Sequence, residues 1–197
     1  MQKIIGIPLA SILKMSGKSR ANIAKVNGRT RGAIPSGPTI LIPGDGTTTW
    51  DNLYRPGNFT TGVGTISNVS GNAGVTFAVL PANTDGLLEW TVGGGRQGLI
   101  VGLSTQLRTS AWNNVEFGIY MGNENLTAFE STFVNTAQLR NGGLEGNVLG
   151  VRVQGGVFTY ESNGVPFYTS RRTTTEDLYF SIFTFSSGEI NTINLQY

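Results

Sequence analysis

The carboxylates are the first residues in this chain that invite a chemical reading. Cutting a glycosidic bond takes two of them about 5–10 Å apart on either side of the bond. The nearest pair in the body, Glu176 and Asp177, is adjacent at a turn, so its side chains point apart, and Glu124 and Glu130 stand alone. The chain has no His, hence no imidazole base or ligand, and no Cys, hence no thiolate, disulfide or thiolate-bound metal. In PGDGTTTWDN a cation would find only Asp45 and Asp51, and a tight turn accounts for Asp45-Gly46 without an ion. Gly93-Gly94-Gly95-Arg96 has the look of a phosphate loop, but no helix follows to supply the N–H groups. No enzyme, metal or cofactor is expected. Sugar recognition asks less: an aromatic face beside amide groups. Trp112-Asn113-Asn114, Tyr120 with Asn123 and Asn125, and Tyr168 offer that, and Trp112, Asn113 and Tyr120 are the candidate glycan-binding residues. Each also reads as an ordinary core or turn residue, with Trp50, Trp90 and Trp112 expected to be mostly buried. Arg171-Arg172, followed by three Thr, reads as an exposed loop.

The elements that must position these residues are strands. Gly is frequent at 28, charged residues make up only 13%, and Thr, Asn and Ser are common, as in a β protein with many tight turns. From Trp50 onward short apolar-alternating runs alternate with turn residues, the pattern of a sandwich or barrel. Strands are predicted at Gly74–Leu80, Leu87–Val92, Gly98–Gln106, Val115–Met121, Val148–Gln154, Val157–Ser162, Val165–Ser170, Leu178–Phe185 and Ile190–Gln196. Thr127–Leu139 fits no single period. In GNVLGVRVQGG, Leu149, Val151 and Val153 alternate inward while Arg152 and Gln154 face outward. Gly155-Gly156 and Asn163-Gly164 are two-residue hairpin turns. LYFSIFTF is apolar on both faces and is expected to be a strand covered on both sides.

The first 44 residues are different. MQKIIGIPLAS, ILKMSGKSRAN and IAKVNGRTRGA are three copies of an 11-residue unit, and a fourth begins at Ile34. Residues 1–44 carry seven basic residues and no acid, whereas residues 45–197 carry seven Arg, no Lys and all twelve acids. Units this short cannot bury a core of their own, so the strip is built to lie on an acidic partner. Its docking residues are Ile12, Lys14, Gly17, Ile23, Lys25, Gly28 and Ile34. A genome-binding arm clusters Arg and Lys without an apolar period. Here each unit keeps a strict Gly and two apolar columns, which favours a protein partner over nucleic acid. The domain reading is therefore a basic repeat arm at 1–34, a Pro/Gly connector at 35–49 and a β-sandwich at 50–197. Apolar runs stay well short of the ~20 residues that cross a membrane, so no membrane contact is expected. The apolar run after Lys3, about seven residues, is too short for a secretory leader.

Two resemblances add to this. The run GNVLGVRVQGGVFTYESNGVPFYTS, with LYFSIFTF and INTINL after it, resembles the C-terminal half of concanavalin A-like (jelly-roll) lectin and SPRY-type sandwiches. The shared pattern is carried by Val151, Arg152, Val153, Val157, Tyr160, Asn163, Gly164, Pro166, Tyr168 and Ser170, and Trp112–Gly122 fits an earlier core strand. The resemblance spans residues 50–197 and implies an antiparallel β-sandwich. Lectins, hydrolases and interaction modules all use that sandwich. Its hydrolases place E-x-D-x-x-E on one strand, a triplet this chain lacks. In the arm, IAKVNG at Ile23–Gly28, and more loosely ILKMSG at Ile12–Gly17, resemble N-terminal repeats of tailed-bacteriophage structural proteins.

The expected protein is thus a non-enzymatic component of a phage virion: a head or tail fibre, or a decoration protein. Its arm fastens to capsid, portal or tail, and its jelly roll is displayed outward toward host-surface glycan. By analogy with such proteins it is a homo-oligomer, a trimer first of all. The alternatives are a jelly-roll coat protein with a genome-facing basic arm, and a carbohydrate-binding module. Deleting residues 1–33 should leave a folded, soluble sandwich that no longer joins the virion. Quantifying the truncated protein in purified particles checks this, and incorporation at the normal level would show that the arm is not the anchor.

Overall fold

The computed structural model describes residues 25–26, 29–30, 39–41, 59–62, 65–68, 79–94, 98–106, 111–122, 125–140, 144–186 and 188–197. Sixteen strands occur among them: β1 (Lys25–Val26), β2 (Arg29–Thr30), β3 (Thr39–Leu41), β4 (Phe59–Gly62), β5 (Thr65–Asn68), β6 (Val79–Leu80), β7 (Gly86–Val92), β8 (Gly98–Ser104), β9 (Phe117–Gly122), β10 (Asn125–Phe129), β11 (Phe133–Arg140), β12 (Val148–Gln154), β13 (Val157–Ser162), β14 (Val165–Thr173), β15 (Leu178–Thr184) and β16 (Gly188–Gln196). The described residues contain no α-helix, only a 3-10 turn at Trp112–Asn114. Every strand pairing among the described residues is antiparallel. One sheet runs β11-β10-β9-β8-β15-β6; the other runs β14-β13-β12-β7-β16-β5-β4, with β3 added beside β16. No helix among the described residues is long and apolar enough to cross a membrane.

The two sheets form a sandwich because their strands alternate with period two and each turns one apolar row inward. From the six-stranded sheet come Leu99, Val101 and Leu103, Phe117, Ile119 and Met121, Leu126 and Ala128, and Leu178, Phe180 and Ile182; they meet Leu88, Trp90 and Val92, Leu149, Val151 and Val153, and Phe158 and Tyr160 from the other sheet. Phe117 and Phe158 stack across the gap, ring centroids 3.6 Å apart and planes within 3°. The turns follow the sequence reading: Gly155-Gly156 has φ of 54° and 76°, and Asn163-Gly164 has 52° and 75°. Positive φ at both central residues matches the right-handed twist of the strands they join. The Asn163 side chain also accepts from the Val148 N–H (2.9 Å), which ties that turn to the start of β12.

β12 and β13 fall where the sequence placed them, at Val148–Gln154 and Val157–Ser162. Other elements differ. The ambiguous Thr127–Leu139 stretch is most of a hairpin, β10 and β11, whose pairing slips between Thr127 and Phe129; that slip is why no single period fitted it. In β16 both Ile190 and Ile193 are buried, three residues apart, because Thr192 at φ 50° sits in a break in the β7 register. Such a bulge resets which face the following residues point to. Of the expected Gly74–Leu80 strand, only Val79–Leu80 is described, paired with β15. Within the connector, Thr39–Leu41 pairs with Asn194–Gln196. In the arm, β1 and β2 pair antiparallel, Lys25 with Thr30 and Val26 with Arg29, within the third repeat. Among the predicted docking residues, Lys25 lies on β1; Ile12, Lys14, Gly17, Ile23, Gly28 and Ile34 lie outside the described residues.

Arg152 corrects the sequence reading most plainly. Its side chain does leave the inner core, but it is only 4% exposed, and it meets Glu161, 2% exposed, at 2.7 Å. Arg152 Nε donates to Glu161 Oε1 and Nη2 to Oε2, a two-pronged pair on the neighbouring strand β13. On the other side Arg152 stands in register with Leu87, which is fully buried. The outer face of the eight-stranded sheet is therefore covered here. A buried charge whose partner is removed is strongly destabilising, whereas replacing both by apolar side chains of similar size is close to neutral. Glu161→Ala should cost about 3–5 kcal/mol of stability, and Arg152→Met with Glu161→Leu far less. Urea unfolding of the three proteins checks this; equal losses in the single and double variants would refute it.

Candidate aromatic site on the outer sheet face

LYFSIFTF is apolar on both faces because the six-stranded sheet is covered on its outer side as well. A second, smaller core of Ile100, Val115, Phe129 and Phe183 lies there, with Tyr120 packed on it. The covering piece is the 111–116 loop, which turns back over β8 and β9. Asn114 shapes it: its Oδ1 accepts from the Ala111 N–H (3.0 Å) and its Nδ2 donates to Gln106 Oε1 (2.9 Å). Glu116 anchors its end, accepting from both the N–H (2.7 Å) and the hydroxyl (2.6 Å) of Thr105. This close cover needs β8 and β9 to be flat beneath it. Gly102 and Gly118 face each other in register, and a Cβ at 102 would collide with the Phe117 carbonyl and Gly118 Cα.

The small core does not bury everything above it. Trp112 remains 37% exposed, Phe133 37% and Phe185 45%. Their rings form one connected surface with Tyr120. Trp112 lies almost parallel to Phe133 (6.1 Å, 18°) and edge-on to Phe129 (5.6 Å, 68°). Tyr120 meets Phe133 at 5.0 Å and Phe185 at 6.0 Å, both edge-on. Exposed aromatic surface joined in this way is the candidate binding face of the domain.

Two of the three residues predicted for glycan binding, Trp112 and Tyr120, are thus brought onto one surface through Phe133, and Asn113 is exposed in the same turn as Trp112. Phe133 and Phe185, which complete the surface, were not singled out from sequence. Their only signal was apolar residues on the outward phase of strands that also had an inward apolar phase. Trp112 was expected to be buried and is not, since it rides on the outer core instead of entering the inner one; Trp90 is buried, its indole N–H without a hydrogen-bond partner among the described residues, and Trp50 lies outside them.

Several of the carboxylates have structural partners. Asp177 accepts from the Ala82 N–H (2.7 Å), Glu116 holds Thr105, and Glu161 holds Arg152. Glu130, read as isolated, accepts from the Tyr160 hydroxyl at 3.3 Å; Glu124 lies outside the described residues. Among the described residues no three His, Cys, Asp or Glu gather as a metal site would require. Arg171 and Arg172, expected in a loop, are exposed but lie within β14.

No family model and no curated protein matches the chain. In fold it is similar to the SPRY domain of human HERC1, at TM-score 0.54 and 10% identity, covering 75% of this chain and 94% of that one. It is likewise similar to the exoplasmic/lumenal domain of VIP36 in its Ca2+/Man3GlcNAc-bound form (0.53, 11% identity, 80% and 86% covered). A third likeness is to the PSpry domain of TRIM65 (0.51, 14%, 68% and 84%). At these identities what is shared is the fold, and the jelly-roll resemblance read from the sequence holds at that level.

Tyr160 of β13, whose hydroxyl reaches the turn between β10 and β11, has a perturbed phenol. Burial first of all holds its pKa well above the ordinary tyrosine value of 10.0; the Glu130 charge and hydrogen bond and the nearby Tyr168 push the same way, and Arg172 opposes them. The folded protein therefore keeps a proton that the unfolded chain releases. Stability from this source is whole below pH 10.0 and falls as pH rises above it. Tyr160→Phe should flatten that fall, as measured by urea unfolding between about pH 8 and about pH 11. Parallel pH profiles for the two proteins would contradict it.

Proposed function

We propose that this chain is a non-enzymatic virion protein of a tailed bacteriophage. Its basic repeat arm fastens it to other virion proteins, and its sandwich displays the Trp112–Tyr120–Phe133–Phe185 surface toward glycan on the host. The observation that carries the recognition half is that exposed aromatic surface, set on a sheet, with exposed Asn113 following Trp112 in the same turn. Aromatic faces take the C–H side of a sugar ring, and amides meet its hydroxyls. A sheet-borne platform also loses little side-chain freedom on binding. One structure of similar fold, VIP36, holds Man3GlcNAc, which supports reading a sandwich of this kind as a glycan receptor.

The attachment half is supported by the sequence of the arm: its I-x-K-h-x-G repeats, its seven basic residues without an acid, and its likeness to phage repeats. The antiparallel pairing of Lys25–Val26 with Arg29–Thr30 fits a string of small units laid on a partner. On this reading the protein is an oligomer located in the virion, as a fibre or decoration protein.

The test of recognition is a glycan array followed by titration of the full chain with the retained sugars. Trp112→Ala and Tyr120→Ala should each weaken binding at least about tenfold, or ~1.4 kcal/mol. Because both rings are partly exposed, the variants should keep the wild-type β circular dichroism spectrum. Undiminished binding in both variants would show that the aromatic surface is not the glycan site.

A further inference from the structure

A second cluster, which shares no residue with the aromatic surface, lies on the rim where β14 meets the β10–β11 turn. It begins with an irregularity in the ladder. Between Thr159↔Thr169 and Val157↔Thr173, β13 advances two residues while β14 advances four. The two extra residues bulge out, and a bulge of this kind re-aims the side chains it contains. Ser170 stays buried and its hydroxyl accepts from the Arg172 N–H (2.8 Å), which closes the bulge, while Arg171 and Arg172 are both turned to solvent. The Arg172 guanidinium carbon lies 4.7 Å from the centroid of the Phe117 ring, so its stem and plane are held.

Tyr168, earlier on the same strand, and Glu130 complete the cluster. Tyr168 stacks on Tyr160 at 5.5 Å and 29°, and is itself half-exposed. Glu130 begins a tight turn in which its N–H donates to the Thr132 carbonyl (2.9 Å) across Ser131 at φ 58°. That turn brings the Glu130 carboxylate to the Tyr160 hydroxyl. The charges are mutually in range: the Tyr168 phenol is raised by burial and then by Glu130, with Arg171 pulling it down. Neither guanidinium has a carboxylate partner among the described residues. In a body with no Lys and only seven Arg, two adjacent exposed arginines without a carboxylate partner among the described residues suit an anion.

We infer that this rim binds an acidic saccharide. The sugar ring lies on the open side of Tyr168, its carboxylate or sulfate is taken by Arg171 and Arg172, and Glu130 accepts from its hydroxyls. The carboxylate is what selects this class. A polyphosphate chain would be repelled by Glu130, whereas a sugar with one acidic group and several hydroxyls uses donor, acceptor and aromatic face together. The site is independent of the aromatic surface and of the virion assignment.

The experiment titrates the full chain calorimetrically with 3′-sialyllactose, an oligogalacturonate, inorganic polyphosphate and neutral lactose, at low and at high salt. The expected result is binding of at least one acidic probe and at least tenfold weaker binding of lactose. That preference should shrink with salt as exposed charges are screened. Arg171→Ala/Arg172→Ala should lower the affinity for the acidic probe at least tenfold. Arg171→Lys/Arg172→Lys should lose less. Should the alanine variant lose secondary structure, the lysine variant and Tyr168→Ala carry the comparison. Equal affinity for lactose, undiminished binding in the Arg variants, or tighter binding of a polyphosphate chain than of either acidic sugar would overturn the inference.

Discussion

The two sheets are keyed together where Phe117 stacks on Phe158, and much of the rest depends on that contact. A face-to-face aromatic pair at 3.6 Å leaves no room for a strand to slide or rise, so it fixes the depth of the sandwich at the entry to β9. The residues on either side of Phe117 serve the same end. Glu116 pins the chain to Thr105 just before it, and Gly118 faces Gly102 just after it. With β9 held this closely to β8, the 111–116 loop can fold back onto the outer face. On the far side of the ring, Arg172 lies over Phe117 and is held at the rim. One stacked pair thus positions both the aromatic surface and the arginine rim.

The six-stranded sheet answers a problem that its own composition creates. Strands apolar on both faces need cover on both sides. The eight-stranded sheet covers one; on the other, a short loop and its second small core cover only part. What remains is an aromatic surface in water on a rigid scaffold. Leaving Trp112, Phe133 and Phe185 partly exposed works against solubility unless a ligand covers them, which is why this face, not a loop or cleft, carries the proposed recognition.

Charge is used in two opposite ways in the body. Arg152 and Glu161 are taken out of water as a pair, and the geometry is good enough, with two donors on two oxygens, to keep both ionised groups satisfied. Arg171 and Arg172 are kept in water with no carboxylate partner among the described residues. The difference lies in register. Arg152 sits in an unbroken stretch of β12 beside Leu87, where the outer face is covered. Arg171 and Arg172 sit in the bulge of an edge strand, where the ladder lets them go.

The sequence alone decided the architecture, because sandwich packing rests on short-range rules. Alternation set the inner rows of β7, β8, β12 and β15, and the Gly155-Gly156 and Asn163-Gly164 pairs set two hairpins whose φ values only such residues adopt easily. The lack of His and Cys, the 11-residue repeat and the charge split between arm and body also needed no structure. What the tertiary structure alone decided were the breaks in alternation and their consequences. The slip in the β10–β11 hairpin, the bulge at Thr192 and the bulge in β14 are set by what lies across the sheet, which no local window contains. For the same reason Arg152 is buried with Glu161, though alternation sent it outward. Trp112, whose size argued for the core, stands exposed above a second core built from residues scattered between Ile100 and Phe183. Burial depends on distant partners, and a sequence read in short windows cannot supply them.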